Sequence, residues 1–181
     1  MVGHDRRRGA ARVERETTCC FTGHRPGKLP WGLNEEDPRC LELKRRLQDV
    51  VETAWEMGKR HFLCGMAMGC DLYFGEAVVE LRRRHPEVTL EAAVPCPGQA
   101  DNWGRELRER YARLLEACNL ETLVQNRYTP SCMQRRDRYM VDRSSLLIAV
   151  YNGTPGGTRY TVQYAMSQGI DIVDLSPLEE L

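Results

Sequence analysis

The chain has 181 residues and carries 26 basic and 26 acidic side chains, so its formal net charge is zero. That balance argues against a general nucleic-acid coat or an anionic-membrane binder, which carry excess Lys and Arg, and no apolar run approaches the roughly 18 residues of a bilayer span. With 41% apolar and 29% charged residues, the composition suits one soluble, cytoplasmic domain large enough for a real core.

Residues 1–16 are polar and charged, with Arg6, Arg7 and Arg8 but no apolar segment after them. They read as a disordered basic tail rather than a signal peptide, leaving 17–181 as the folded domain. The first buried strand is expected at Thr18–Thr22, ending at Gly23. Leu43, Leu47, Val50, Val51 and Ala54 recur at helical spacing between Pro38 and Met57, and Gly58 stops the pattern. His61–Cys64 is a short strand. Asp71–Arg84 is helical, broken by His85-Pro86, and Val88–Val94 is a strand. Asn102–Cys118 is an amphipathic helix, followed by a strand over Leu120–Val124. Thr129-Pro130 opens a helix that runs to about Asp142. Ser145–Tyr151 is the most apolar strand, Gly157–Ser167 is helical, and Ile170–Leu175 is the last strand.

Strands and helices alternate, and apolar strands between helices imply a mostly parallel sheet covered on both faces. The fold class is therefore α/β, a single doubly wound domain. Eight cysteines occur, but no C-x-x-C pair and no histidine at zinc-finger spacing. No metal site and no disulfide scaffold is expected, and the thiols are read as reduced.

In such sheets ligands bind beyond the carboxyl ends of the strands. That edge gathers Gly23–Lys28, Gly65–Asp71, Pro95–Trp103, Arg127–Gln134 and Tyr151–Thr158. Two of these segments are glycine turns between a strand and a helix. Gly65, Ala67 and Gly69 form the first, ahead of Asp71. Gly156, Gly157 and Thr158 form the second, after Tyr151. Backbone N–H groups at a helix start suit phosphate. The plainer reading is strain relief and helix capping, with Asp71 simply placed in the first helical turn.

Thr22, Gly23, His24 and Arg25 follow the first strand, and Arg25 and Lys28 can meet phosphate. This segment is one residue short of a P-loop, with Leu29 where the metal-binding hydroxyl belongs. Trp103 and Tyr151 can stack on a base, but Trp103 is in phase with the apolar face of its helix. Gln134, Arg135 and Arg136 read chiefly as a solvated helix face. No Ser-His-Asp or Cys-His set assembles. Asp71 and His24 are the only catalytic candidates, so the reading leans away from an enzyme.

The carrying residues are Thr22-Gly23-His24-Arg25-Pro26, the Gly65–Asp71 turn, Tyr139-Met140-Val141-Asp142, Leu147–Tyr151 and Gly156-Gly157-Thr158. Together, over nearly all of Thr18–Leu175, they resemble the YpsA-like branch of the SLOG superfamily. This group of Rossmann-like proteins includes DprA and the cytokinin-activating LOG enzymes. The resemblance implies a nucleotide or ADP-ribose-like small molecule over both glycine turns, and no cofactor beyond that ligand is assigned. The LOG motif continues to a glutamate, whereas Arg159-Tyr160-Thr161 follow here, and Met68 stands where DprA has an arginine in its turn. A binding protein or sensor is therefore the first reading. The alternatives are a LOG-like hydrolase of the N-glycosidic bond in a nucleoside monophosphate, with Asp71 or His24 assisting water, and a DprA-like binder of single-stranded DNA. Nucleic acid and membrane are not the expected partners, and a homo-oligomer is compatible with the sequence.

Overall fold

A computed structural model describes residues 14–175. The tail expected over 1–16 lies outside the described residues up to residue 13, as does the domain's end from 176. Residues 14–16 belong to the body rather than to a tail. Arg15–Thr17 is a short 3-10 turn, and the Glu16 carbonyl accepts from Lys59 Nζ (2.7 Å) and Ser145 Oγ (3.0 Å). Lys59 is buried, and a buried ammonium needs such acceptors.

The strands are β1 (Thr18–Gly23), β2 (His61–Cys64), β3 (Thr89–Val94), β4 (Leu120–Leu123), β5 (Leu146–Val150) and β6 (Asp171–Asp174). Between them lie α1 (Pro38–Glu56), α2 (Cys70–Arg84), α3 (Arg105–Ala117), α4 (Cys132–Asp142) and α5 (Gly157–Ser167). Every element expected from the sequence is present. The six strands form one sheet in the order β4-β3-β2-β1-β5-β6, with every pair parallel.

The pleat sorts side chains into two layers. Cys19 and Phe21 of β1 pack with α1, α2 and α3, and Phe21 stacks on Phe74 at 4.5 Å between centroids. Cys20, one residue out of phase, packs with Met140 and Val141 of α4 and Ala165 of α5. Helix α1 shows why its sequence is helical. Asp37 caps the N–H of Arg39 (2.9 Å), Pro38 takes the first position, and Cys40, Leu43, Leu47, Val51 and Ala54 are buried. Trp103 packs at the margin of this layer, edge-on to Tyr111.

Helix α4 is fixed to the sheet by a polar contact. Buried Glu91 on β3 accepts from His61 Nε2 (2.8 Å), Thr122 Oγ1 (2.7 Å) and the Tyr139 hydroxyl (2.6 Å). Burial opposes ionisation of Glu91, but these three donors outweigh it and hold its carboxyl below the usual range. Because Tyr139 belongs to α4, the network sets where the rest of that helix stands.

Candidate functional site

Strand β1 continues one way through β2, β3 and β4, while β5 lies on its other side. The boundary between β1 and β5 is thus the topological switch point, where a crevice opens at the carboxyl ends. A cleft of about 180 Å³ lies there, lined among others by Thr22, Gly23, Arg25, Lys28, Asp71 and Thr158. A larger groove of about 750 Å³ runs between α1 and α2. None of the carboxyl-edge segments reaches that groove, so the chemistry belongs to the smaller cleft.

The first glycine turn is closed by the protein itself. Gly65 and Gly69 are both buried. A Cβ on Gly65 would run into the Arg136 guanidinium, and one on Gly69 would stand 2.9 Å from the His24 carbonyl oxygen. The Ala67 N–H donates to Asp71 Oδ2 at 3.0 Å, and the Cys70 N–H to His24 O at 3.2 Å. Met66 holds a left-handed φ of 58° while fully buried, a conformation that costs free energy in a non-glycine residue. Gln99 Nε2 reaches over the turn to the carbonyls of Gly65 (3.2 Å) and Met66 (2.8 Å). Of this turn, Ala67 and Asp71 line the cleft and Gly65 and Gly69 do not.

The cation over Gly65 comes from α4. Arg136 is buried, pairs through Nε with Asp137 Oδ1 (2.8 Å), and donates from Nη1 to the Gly65 carbonyl. Burial works against its charge, but Asp137 and Asp71 outweigh that and hold the guanidinium above its ordinary range. The expectation of a solvated face is therefore wrong for Arg136, although Arg135 is exposed and Gln134 is too. Beside it, burial lifts the Asp71 carboxyl to about 6, against the pull of Arg136 and the Ala67 N–H. Asp71 is 5% exposed, so its carboxylate sits in dry surroundings and titrates near neutrality.

His24 spans the switch point. Its Nε2 lies 2.7 Å from Asn152 Oδ1. That oxygen also accepts from the Thr154 N–H (3.2 Å) and hydroxyl (2.8 Å), and the Asn152 backbone N–H approaches the same Nε2 at 3.2 Å. A solvated turn histidine is the plain expectation, yet His24 is 2% exposed. Burial pushes the imidazole below its usual range; the Asn152 contact opposes this and Lys28 adds to it. The ring therefore ties the β1 loop to the β5 loop.

The second turn is open. Residues 152–157 are exposed, and no atom lies within 4 Å of the position a Cβ on Gly157 would take. Gly156 takes φ 145° as the N-cap of α5, and no side chain caps that helix. The first N–H groups of a helix lack intrahelical acceptors, and here they belong to Gly157 and Thr158, both on the cleft wall. Lys28 Nζ reaches the Pro155 carbonyl across the same opening. Arg25 lies at the cleft mouth, and its guanidinium reaches Met133 Sδ at 3.9 Å.

Thus Thr22, Gly23, His24, Arg25, Ala67, Asp71, Gly157 and Thr158 meet at one cleft. Tyr151 stands behind it, its ring 5.9 Å from that of His24, and Gly156 lies under Lys28. Arg136 and Asp137 are site residues that the sequence reading missed. Their signal is positional, because they share an inward stripe with Cys132, Met140 and Val141, where a solvated charge does not belong. Among the described residues no group of three or more His, Cys, Asp or Glu is arranged to hold a metal, and no helix is long and apolar enough to cross a membrane.

Comparison with known proteins places this cleft in context. The family model of the YspA SLOG family matches residues 19–172. The SPbeta prophage-derived protein YoqJ of Bacillus subtilis strain 168 is 32% identical over 143 residues, covering 72% of this chain and 84% of the relative. The UPF0398 protein YpsA of the same strain is 23% identical over 141 residues, covering 76% and 77%. Among solved structures, DNA processing protein A from Streptococcus pneumoniae superposes with a TM-score of 0.62 at 12% identity, over 91% of this chain. The chain spans about half of that protein (52%). The Helicobacter pylori protein of the same name, whose structure concerns single-stranded DNA binding, gives 0.60 at 12% identity over 90% of this chain and 66% of its own. At such identity the likeness is one of fold, a Rossmann-like α/β domain.

Proposed function

The chain belongs to the YspA SLOG family, and from that premise we propose that it binds a nucleotide or ADP-ribose-like molecule at the β1–β5 switch point. One observation carries the reading. The uncapped start of α5 opens into a cleft that also receives Arg25 and Lys28. Helix N–H groups and two cations then converge on one anion. At about 180 Å³ the cleft is smaller than the roughly 300–1,000 Å³ of sites that enclose a whole ligand. It therefore takes the phosphate end and leaves the base outside. The phosphate rests on the second turn only, because Arg136 and the His24–Pro26 segment occupy the space beside Gly65 and Gly69.

Titration calorimetry with ADP-ribose and a panel of nucleoside monophosphates tests this. Arg25→Ala and Lys28→Ala each remove a charge-assisted contact and are expected to weaken binding roughly tenfold or more. Parent-like affinity in both folded variants would overturn the placement. A second reading is favoured by the fold shared with the two DNA processing proteins. Retardation of single-stranded DNA with a steep salt dependence, and no saturable nucleotide binding, would select it. Release of free base from a monophosphate would instead select hydrolysis, with Asp71 as the group titrating in the working range.

A further inference from the structure

Two of the cysteines face each other. Cys96, just after β3, has its Sγ 3.8 Å from Sγ of Cys132, the first residue of α4. All eight cysteines are free, and these two lie 36 positions apart in sequence. Both are buried, at 3% and 1% exposure, but each adjoins exposed chain. Pro97 and Gly98 are exposed beside Cys96, and Pro130 is exposed two residues before Cys132. A peroxide would have to reach the sulfurs through this loop edge.

The two thiols also stand behind the two arms that grip the first glycine turn. Arg136, one helical turn after Cys132, donates to the Gly65 carbonyl. Gln99, three residues after Cys96, donates to the same carbonyl. A bond between the sulfurs would join the bases of both arms and hold the turn, Asp71 and the cleft floor in one arrangement.

We propose that Cys96 and Cys132 are a reversible thiol–disulfide modification site, oxidised by hydrogen peroxide. One thiolate attacks a peroxide oxygen, the O–O bond breaks, and a sulfenic acid forms as hydroxide leaves and takes up a proton. The second thiol attacks that sulfur, loses its proton and expels the hydroxyl as water. Two sulfurs together give up two electrons, and one peroxide becomes two waters. The approach needed is from 3.8 Å to the roughly 2.05 Å of a disulfide. This inference does not depend on the nucleotide reading.

The test oxidises the full-length chain with substoichiometric hydrogen peroxide, blocks remaining thiols with an alkylating reagent, and maps peptides by mass spectrometry. The expected product links the Cys96 and Cys132 peptides with loss of two hydrogens, and dithiothreitol reverses it. Cys118 is the control, since it is the half-buried cysteine of the set, and oxidation governed by exposure alone would modify it first. Linkage through Cys118, or over-oxidation of Cys96 or Cys132 without a link, overturns the proposal. In Cys132→Ser, Cys96 is expected to be trapped by a sulfenic-acid-specific diketone, and absence of that adduct in a folded variant also counts against it. Mapping of the parent chain decides the question even where the variant does not fold.

Discussion

The two glycine turns look alike in sequence and stand in opposite surroundings. In the first, the room left by missing side chains is taken by the protein, with Arg136 over Gly65 and the His24 carbonyl over Gly69. In the second, Gly157 faces open space and α5 begins without a side-chain cap. The first turn is a dry, charged joint between α2, α4 and the β1 loop. The second is a wet helix start with two cations beside it. Glycine before a helix therefore signals close approach, and only the surroundings decide whether the approaching group is a neighbour or a ligand.

The strongest way to break the contrast is to open the first turn. Arg136→Met removes the cation shared by Asp137 and Asp71 and leaves two buried carboxyls without it. Losing one partner of a buried pair costs about 3–5 kcal/mol. Urea unfolding should show a loss of that order, whereas Arg135→Met on the exposed side of α4 should change little. A small loss for Arg136→Met would mean that the joint is already wet.

Asp71 reports the same dryness through pH. Its carboxyl is raised from 3.8 to about 6, so between those values the folded chain keeps a proton that the unfolded chain has released. Stability then falls as pH rises, because the unfolded state binds fewer protons. This contribution is fully present below about pH 4 and is lost as pH climbs through about 6, with an upper bound of about 3 kcal/mol. Urea unfolding of the parent and Asp71→Asn across that interval isolates it. The stability of the parent relative to the variant should decline as pH rises. A flat difference would place Asp71 in water.

Much of this frame is legible in the sequence, and the reasons differ by residue. The elements can be read because apolar residues on α1 and α2 keep a helical period and β5 is apolar throughout. That Gly23, Gly65 and Gly157 all lie at one edge follows from the parallel topology. The contents of the first turn cannot be read. Arg136 and Asp137 are charged, and a charged pair on a helix is normally solvated. Only Tyr139's bond to buried Glu91 and the inward stripe of α4 reveal that this pair points to the core. His24 is hidden for a similar reason, since its partner Asn152 lies 128 positions away.

The smallest effect gives the sharpest comparison, because it applies one substitution to both turns. Gly65→Ala pushes a methyl into Arg136, whose guanidinium can move away only by giving up its bonds to Asp137 and the Gly65 carbonyl. Overpacking of this kind costs about 1–3 kcal/mol. Gly157→Ala meets nothing within 4 Å, and its φ lies outside the left-handed range, so stability should stay within about 0.5 kcal/mol of the parent. Its effect should appear in binding instead, because the new methyl stands where the proposed phosphate would approach the α5 N–H groups. Gly157→Val should lower affinity further for the same reason while still folding. Calorimetry and urea unfolding on the three variants separate the cases. If Gly157→Val folds and binds nucleotide as the parent does, the second turn is also only a joint, and the ligand lies elsewhere on the edge.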